Sequence, residues 1–235
     1  MHSPSPIAPV LRRLGLVCAL TFATAAIAAS SDRWESAIQA FEKQDRATPP
    51  RPGAIVFYGS STFTGWNTLI EDFAPLSVVN RGFGGSRPDD AIAYLDRAVV
   101  PHQPRAVVLY TGGNEIGRKT PAQIRDDVAR LFALLRAALP DTRLVLLSLK
   151  PTLARLDQSD DVQAVNRLYA ALVANTENAR YVDLWSPFVD AEGRPAPEWL
   201  APDGLHPSSA AYHRMAELIR PHVSFEPGTP PSFAR

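Results

Sequence analysis

Two kinds of hydrophobic pattern alternate along the chain: short unbroken apolar runs, and longer stretches whose apolar positions recur every three or four residues. The first kind reads as strands buried on both faces, the second as amphipathic helices. Ala54-Ile55-Val56-Phe57-Tyr58 is the clearest strand, and it stops abruptly at Gly59-Ser60-Ser61-Thr62. Four more strands are predicted over 77–81, 106–110, 144–149 and 181–184. Helical spacing predicts a helix over 32–46 through Trp34, Ile38 and Phe41, packed on the flank of the domain. A short helix over 66–73 is stopped by Pro75, and Pro88 opens another that runs to about Val99. Thr120-Pro121 caps the longest helix, with Ile124, Val128, Leu131, Leu134 and Leu135 on one face. Asp160 or Asp161 opens the next, through Val162, Val165, Leu168, Tyr169 and Leu172, and 207–220 forms the last. The stretch from Trp185 to Gly204 is rich in Pro and Gly and is expected to be irregular.

Strand–helix alternation with right-handed crossovers produces a parallel sheet covered on both faces. The expectation is one α/β domain over 30–225, followed by a loose tail over 226–235 that holds Pro227, Pro230 and Pro231. No internal repeat or low-complexity segment interrupts it.

Residues 1–29 differ in composition from the rest. They contain no Asp or Glu, carry Arg12 and Arg13, and then run from Leu14 to Ala26 with little polarity before Ala26-Ile27-Ala28. This is the pattern of a secretory signal peptide cleaved near Ala29 or Ser30. The apolar run is short for a membrane anchor. Val17 stands where lipoprotein attachment at Cys18 needs a small residue, and the Arg pair matches a twin-arginine leader poorly beyond itself. Cleavage would remove the only cysteine, leaving no disulfide, thiol nucleophile or thiolate metal site. Export to a bacterial periplasm or the medium fits such a chain.

The 235 residues are 46% hydrophobic with a formal net charge of zero, which becomes about −2 after cleavage. Nothing in that balance favours a nucleic acid or an acidic membrane surface. His102, His213 and His222 lack ligand spacing with acids or cysteines, so they are expected at the surface and no metal site is expected. No signal bears on oligomeric state.

Four polar motifs sit after strands or before the last helix: Gly59-Ser60-Ser61, Gly84-Gly85-Ser86, Gly112-Gly113-Asn114 and Asp203-Gly204-Leu205-His206. Loops at the carboxyl ends of parallel strands are where such sheets meet ligands. Their residue types divide the labour of acyl transfer. Ser61 offers a nucleophilic hydroxyl, His206 a base, and Asp203 a carboxylate to hold the imidazole tautomer. The Ser61 and Gly85 N–H groups and the Asn114 amide offer an oxyanion hole. Ser60 is the alternative nucleophile. Phe63 stands where the Gly-x-Ser-x-Gly elbow needs its second glycine, so that elbow is absent. Lys150 either borders the site or is solvated. Trp66, Trp185 and Trp199 either contact substrate or pack the core and rim, with Trp199 the better candidate for a substrate wall.

These blocks resemble those of the SGNH or GDSL hydrolase family, lipases and esterases with a flavodoxin-like three-layer α/β/α fold around a five-stranded parallel sheet. The family's Gly-Asp-Ser block falls on Gly59-Ser60-Ser61, its second-block glycine on Gly85, its Gly-x-Asn on Gly112 to Asn114, and its Asp-x-x-His on Asp203 to His206. The resemblance spans roughly 52–222, in the family's order. Ser60 replaces the usual Asp, and Glu115 replaces the Asp that often follows the third-block Asn, so altered local hydrogen bonding is expected there.

What the resemblance implies is a serine esterase of the acetylhydrolase-like branch, forming an acyl-enzyme on Ser61 and needing no metal or organic cofactor. Its substrate would be a small-molecule or glycan ester with a short acyl group; no long apolar lid helix stands out, which argues against an interfacial triglyceride. Two other readings remain open: a non-catalytic carbohydrate-binding protein on the same fold, and an O-acyltransferase using the same triad.

Overall fold

The computed structural model describes residues 32–225, so the leader expected over 1–29 and the tail expected over 226–235 lie outside the described residues. Strand β1 (Ile55–Gly59) is buried throughout, paired on both edges and covered on both faces. It runs parallel to β2 (Val78–Gly82) on one side and to β3 (Ala106–Tyr110) on the other. With β4 (Arg143–Leu147) and β5 (Ala179–Val182) the sheet is five-stranded, all parallel, in the order β2-β1-β3-β4-β5. The helices are α1 (Glu35–Ala47), α2 (Ser61–Thr64), α3 (Leu69–Phe73), α4 (Pro88–Ala93), α5 (Leu95–Ala98), α6 (Pro121–Ala138), α7 (Ser159–Ala174) and α8 (Ser209–Val223).

The alternation of side chains along β1 separates the two helical layers. Phe57 packs against Phe63, Trp66 and Phe73, at ring-centroid distances of 5.4, 5.8 and 4.8 Å. Trp66 in turn lies 5.1 Å from the Tyr212 ring, which closes this layer with α3 against α8. Tyr58 points the other way, meets Phe83 at 5.8 Å and donates its hydroxyl to the Ala91 carbonyl at 2.6 Å. On that side α4 packs on α6, α6 on α7, and α1 on α5. Each such fully buried side chain stabilises the fold by roughly 1.5–3 kcal/mol.

The strands and most helices fall where the pattern places them, and the departures have physical causes. The helix predicted from Pro88 to Val99 breaks at Tyr94 (φ −108°, ψ 6°), whose ring packs edge-on against Phe83 at 6.0 Å. Strand β4 ends at Leu147, two residues early, because both the N–H and the carbonyl of Leu149 bond to the Asn166 side chain rather than to a strand. Strand β5 begins at Ala179, two residues early, and its exposed Arg180 disguises it as a turn. The last helix starts at Ser209, capped by the Ser208 hydroxyl, and continues through Pro221 to Val223. The single-turn helix α2, beginning at Ser61, has no apolar periodicity to announce it.

Two side chains, Leu134 and His102, lie elsewhere than expected. Leu134 is 40% exposed, because it falls about 100° from the centre of the α6 stripe, where Phe132 is buried instead. Trp66 is core. His102 is buried, not at the surface: its Nε2 is 3.4 Å from Asp45 Oδ2 and 3.1 Å from Arg81 Nη2. Burial, and then the neighbouring Arg81, hold its pKa below the ordinary histidine value. His213 is exposed, with its Nδ1 2.6 Å from Asp72, and His222 is half-buried.

A Cβ at position 59 would stand 2.1 Å from the Tyr110 carbonyl oxygen, an atom held in the β3 backbone. Gly59→Ala is therefore expected to lower the unfolding free energy by about 3 kcal/mol. Urea denaturation measures it, and an unchanged midpoint would contradict the close approach.

Candidate active site

The chain leaves β1 at Gly59 and turns at once into α2, which brings Ser61 to the sheet's carboxyl edge. Ser60 is extended (φ −95°, ψ −159°), and its N–H donates to the Tyr110 carbonyl at 3.2 Å. As the first residue of α2, Ser61 has no acceptor within the helix for its own N–H. Its hydroxyl lies 2.9 Å from His206 Nε2, across 145 residues of sequence. His206 Nδ1 lies 2.6 Å from Asp203 Oδ2. The other carboxylate oxygen of Asp203 accepts the N–H groups of Leu205 and His206, both at 2.9 Å. The His206 side-chain bond, then these two backbone donors, hold the Asp203 carboxyl well below the usual carboxylate range. It therefore remains ionised, accepts from Nδ1–H and leaves Nε2 free to accept the serine proton. The two bonds define the tautomer. Of the two adjacent serines, Ser61 is the one that the imidazole meets.

The loop bearing Asp203 and His206 is closed by an antiparallel bridge between Leu200 and Pro207. Within it the Ala201 N–H donates to the His206 carbonyl at 2.8 Å, and the Ala154 N–H to the Gly204 carbonyl at 3.0 Å. Lys150, just past β4, is buried and donates its ammonium to the Leu205 carbonyl. It borders the site and is not solvated. Burial pulls its pKa down to about 7, opposed by Asp203 and assisted by Arg155.

The second-block loop is tied down from three directions. The Phe83 N–H and the Ser86 hydroxyl donate to the Gly59 carbonyl at 2.9 and 3.2 Å, and Trp34 Nε1 donates to the Gly84 carbonyl at 2.9 Å. Gly85 has φ +77°, a left-handed conformation that glycine adopts without strain. A Cβ at Gly84 would be 3.9 Å from the Ser61 Cβ, so this loop passes directly beside the hydroxyl. Asn114 Nδ2 gives one N–H to the Ser86 carbonyl at 3.0 Å, which fixes the amide while its second N–H stays available. Glu115, the residue that departs from the family pattern, is buried and 3.6 Å from Lys119 Nζ and 3.9 Å from Arg87 Nε. It anchors the loop after β3.

Ser61, Tyr110, Asn114, Ile116, Leu149 and His206 line a cleft of about 50 Å³. Trp199 packs edge-to-face on Phe188 at 5.4 Å, so it buttresses the loop before Asp203. The sequence leaves Lys150 open between site and solvent and does not point to Trp34 or Arg155 as site residues; Arg155 donates to the Gly113 carbonyl. No motif marks them, since each acts on a backbone atom of a distant loop. Among the described residues no group of three or more His, Cys, Asp or Glu side chains is placed to hold a metal ion, and no helix is long and apolar enough to cross a membrane.

The family model described as "GDSL-like Lipase/Acylhydrolase family" matches residues 44–214. A protein of Escherichia coli (strain K12) described as thioesterase 1/protease 1/lysophospholipase L1 is 26% identical over 176 residues, 72% of this chain and 80% of its own length. A solved GDSL-like lipase from Bacteroides thetaiotaomicron superposes with a TM-score of 0.67 at 21% identity, covering 79% of this chain and 96% of its own. An acetyl xylan esterase superposes with a TM-score of 0.63 at 17% identity, covering 73% of this chain and all of its own, at 100%. These last two are likenesses of fold.

The Lys150 pKa of about 7 in the folded chain, against an ordinary 10.5, means that the unfolded chain holds the extra proton between those values. Stability therefore rises with pH across that window through this residue, by an amount on the order of 4 kcal/mol. Lys150→Met is expected to flatten the rise. Denaturant midpoints of both proteins at pH 6.5 and 9.5 measure it, and parallel slopes would refute it.

Proposed function

Because the chain belongs to the GDSL-like lipase/acylhydrolase family, we propose that it is an exported serine esterase that removes short acyl groups, acetyl above all, through an acyl-enzyme on Ser61. The observation that carries this reading is the hydrogen-bonded line from Ser61 Oγ through His206 to Asp203. The mechanism follows from it. His206 Nε2 takes the serine proton as Oγ attacks the ester carbonyl, and Asp203 stabilises the resulting imidazolium. The Ser61 and Gly85 N–H groups and the free N–H of Asn114 receive the oxyanion, each donor worth about 3 kcal/mol of barrier. Collapse releases the alcohol with the proton from His206. Water, deprotonated by the same nitrogen, then cleaves the acyl-enzyme and regenerates Ser61. All of these groups belong to the chain, and the reaction as written needs no metal or organic cofactor.

The short-acyl preference is supported by the size of the cleft, room for a few water molecules and hence for a few heavy atoms beyond the carbonyl. The fold likeness to an acetyl xylan esterase favours an acetylated glycan as the alcohol part. Export is supported by the composition of residues 1–29. Hydrolysis rather than acyl transfer is supported by the exposure of the dyad, 36% for the His206 side chain and 50% for that of Asp203, which lets water reach the acyl-enzyme.

Two measurements test the proposal. On p-nitrophenyl esters from acetate to palmitate, kcat/KM is expected to fall with chain length, and Ser61→Ala to abolish turnover while its melting curve is unchanged. Full activity in Ser61→Ala would overturn the assignment. Asn114→Ala is expected to lower kcat about a hundredfold with a much smaller change in KM; an unaltered kcat would remove Asn114 from the oxyanion hole.

A further inference from the structure

A second hollow of about 330 Å³ adjoins the cleft, and its walls include Arg33, Arg87, Arg118 and Arg155, with Gly85 and Asn114 at its edge. Asn114, Ile116 and Arg155 line both spaces, so the hollow lies directly beside the cleft. We infer that these four arginines form an anion-binding subsite, which takes a phosphate or carboxylate carried by the substrate a few bonds from the scissile ester. The inference rests on the esterase reading and narrows its substrate class.

The charged side chains that line the hollow are all arginines. Two carboxylates stand behind Arg87: Glu115, 3.9 Å from its Nε and shared with Lys119 at 3.6 Å, and Asp90, which accepts the Arg87 backbone N–H at 2.9 Å. Arg33, Arg118 and Arg155 have no ion pair among the described residues. Elsewhere on this chain arginines do find acids, as Arg97 does with Glu35 and Glu42. A formal net charge of zero for the whole chain makes this a local concentration of charge, not a general basicity.

The positions of the arginines are also set by the active site. Arg33 lies over the ring of Trp34, 4.6 Å from its centroid, and Trp34 is itself bonded to the Gly84 carbonyl. A Cβ on Gly85 would be 3.5 Å from Arg33 Nη2, so this guanidinium borders the oxyanion loop directly. Arg155 is held by its bond to the Gly113 carbonyl, one residue before Asn114, and the rest of its fork stays open. Guanidinium forks match phosphate and carboxylate oxygens in pairs, and like-charged arginines around one space are relieved by an anion between them. A neutral ester would leave the hollow filled with water.

Matched esters test the inference. One pair is 1-acetylglycerol and 1-acetylglycerol 3-phosphate; the other is an acetylated methyl glucoside and the corresponding acetylated methyl glucuronide. In at least one pair the anionic member is expected to have a kcat/KM about tenfold or more above its neutral partner. That ratio is expected to shrink in high salt and to fall toward one in Arg87→Ala/Arg118→Ala. The pair that shows it identifies phosphate or carboxylate as the group read. Ratios near one in both pairs, or a ratio undiminished in the double variant, would overturn the subsite. Calorimetric titration of the same intact esters into Ser61→Ala reads the preference as a ratio of Kd values without turnover. Turnover of neutral p-nitrophenyl acetate reports on the esterase reading separately, so the two failures are distinguishable.

Discussion

At the carboxyl end of the sheet the backbones of β1 and β3 approach so closely that only a hydrogen fits on residue 59, with the Tyr110 carbonyl 2.1 Å from where a Cβ would be. The site depends on this approach. Because Gly59 ends β1 flush with β3, the next residues cannot continue in the plane of the sheet and turn into α2, with Ser61 at its first position. The same Gly59 carbonyl accepts the Phe83 N–H and the Ser86 hydroxyl, so the loop bearing Gly85 hangs from the atom that ends the strand before Ser61. Three of the family's blocks are thereby referenced to one peptide unit.

The fourth block comes from the other end of the chain and needs its own support. A loop carrying an ionised Asp203 and a partly exposed His206 would be free to swing, were it not closed by the Leu200–Pro207 bridge and held from beneath by Lys150. Buried ammonium groups are unfavourable, and the depressed Lys150 pKa records that cost. The cost is placed where it orients the loop of Asp203 and His206.

Charge follows the same division of labour. The formal net charge of the chain is zero, and pairs such as Arg125–Asp126 and Arg214–Glu217 are exposed and contribute little to stability. Beside the active site, by contrast, arginines from the segment before α1, the turn before α4, the loop after β3 and the segment after β4 converge on one hollow. That these side chains come from four separate parts of the chain explains why no charge run in the sequence points to them.

The order of strands and helices was legible in the sequence because it is local: burial on two faces imposes continuous apolar runs. Ser61, Asp203, His206, Gly85 and Asn114 are reached from their residue types at strand ends together with the resemblance to the family's four blocks, which is what selects Ser61 over Ser60. What periodicity could not convey is whatever depends on contact between distant segments. The break at Tyr94, the burial of His102 against Arg81 and the early end of β4 at Asn166 are each set by a partner distant in sequence. The same holds for the meeting of Ser61 with His206 across 145 residues, and for the roles of Trp34, Lys150 and Arg155, whose partners are backbone atoms that any residue type supplies. Sequence determines which chemical groups are present and on which elements; only tertiary packing brings them within bonding distance, because those distances are set by how the layers close on one another.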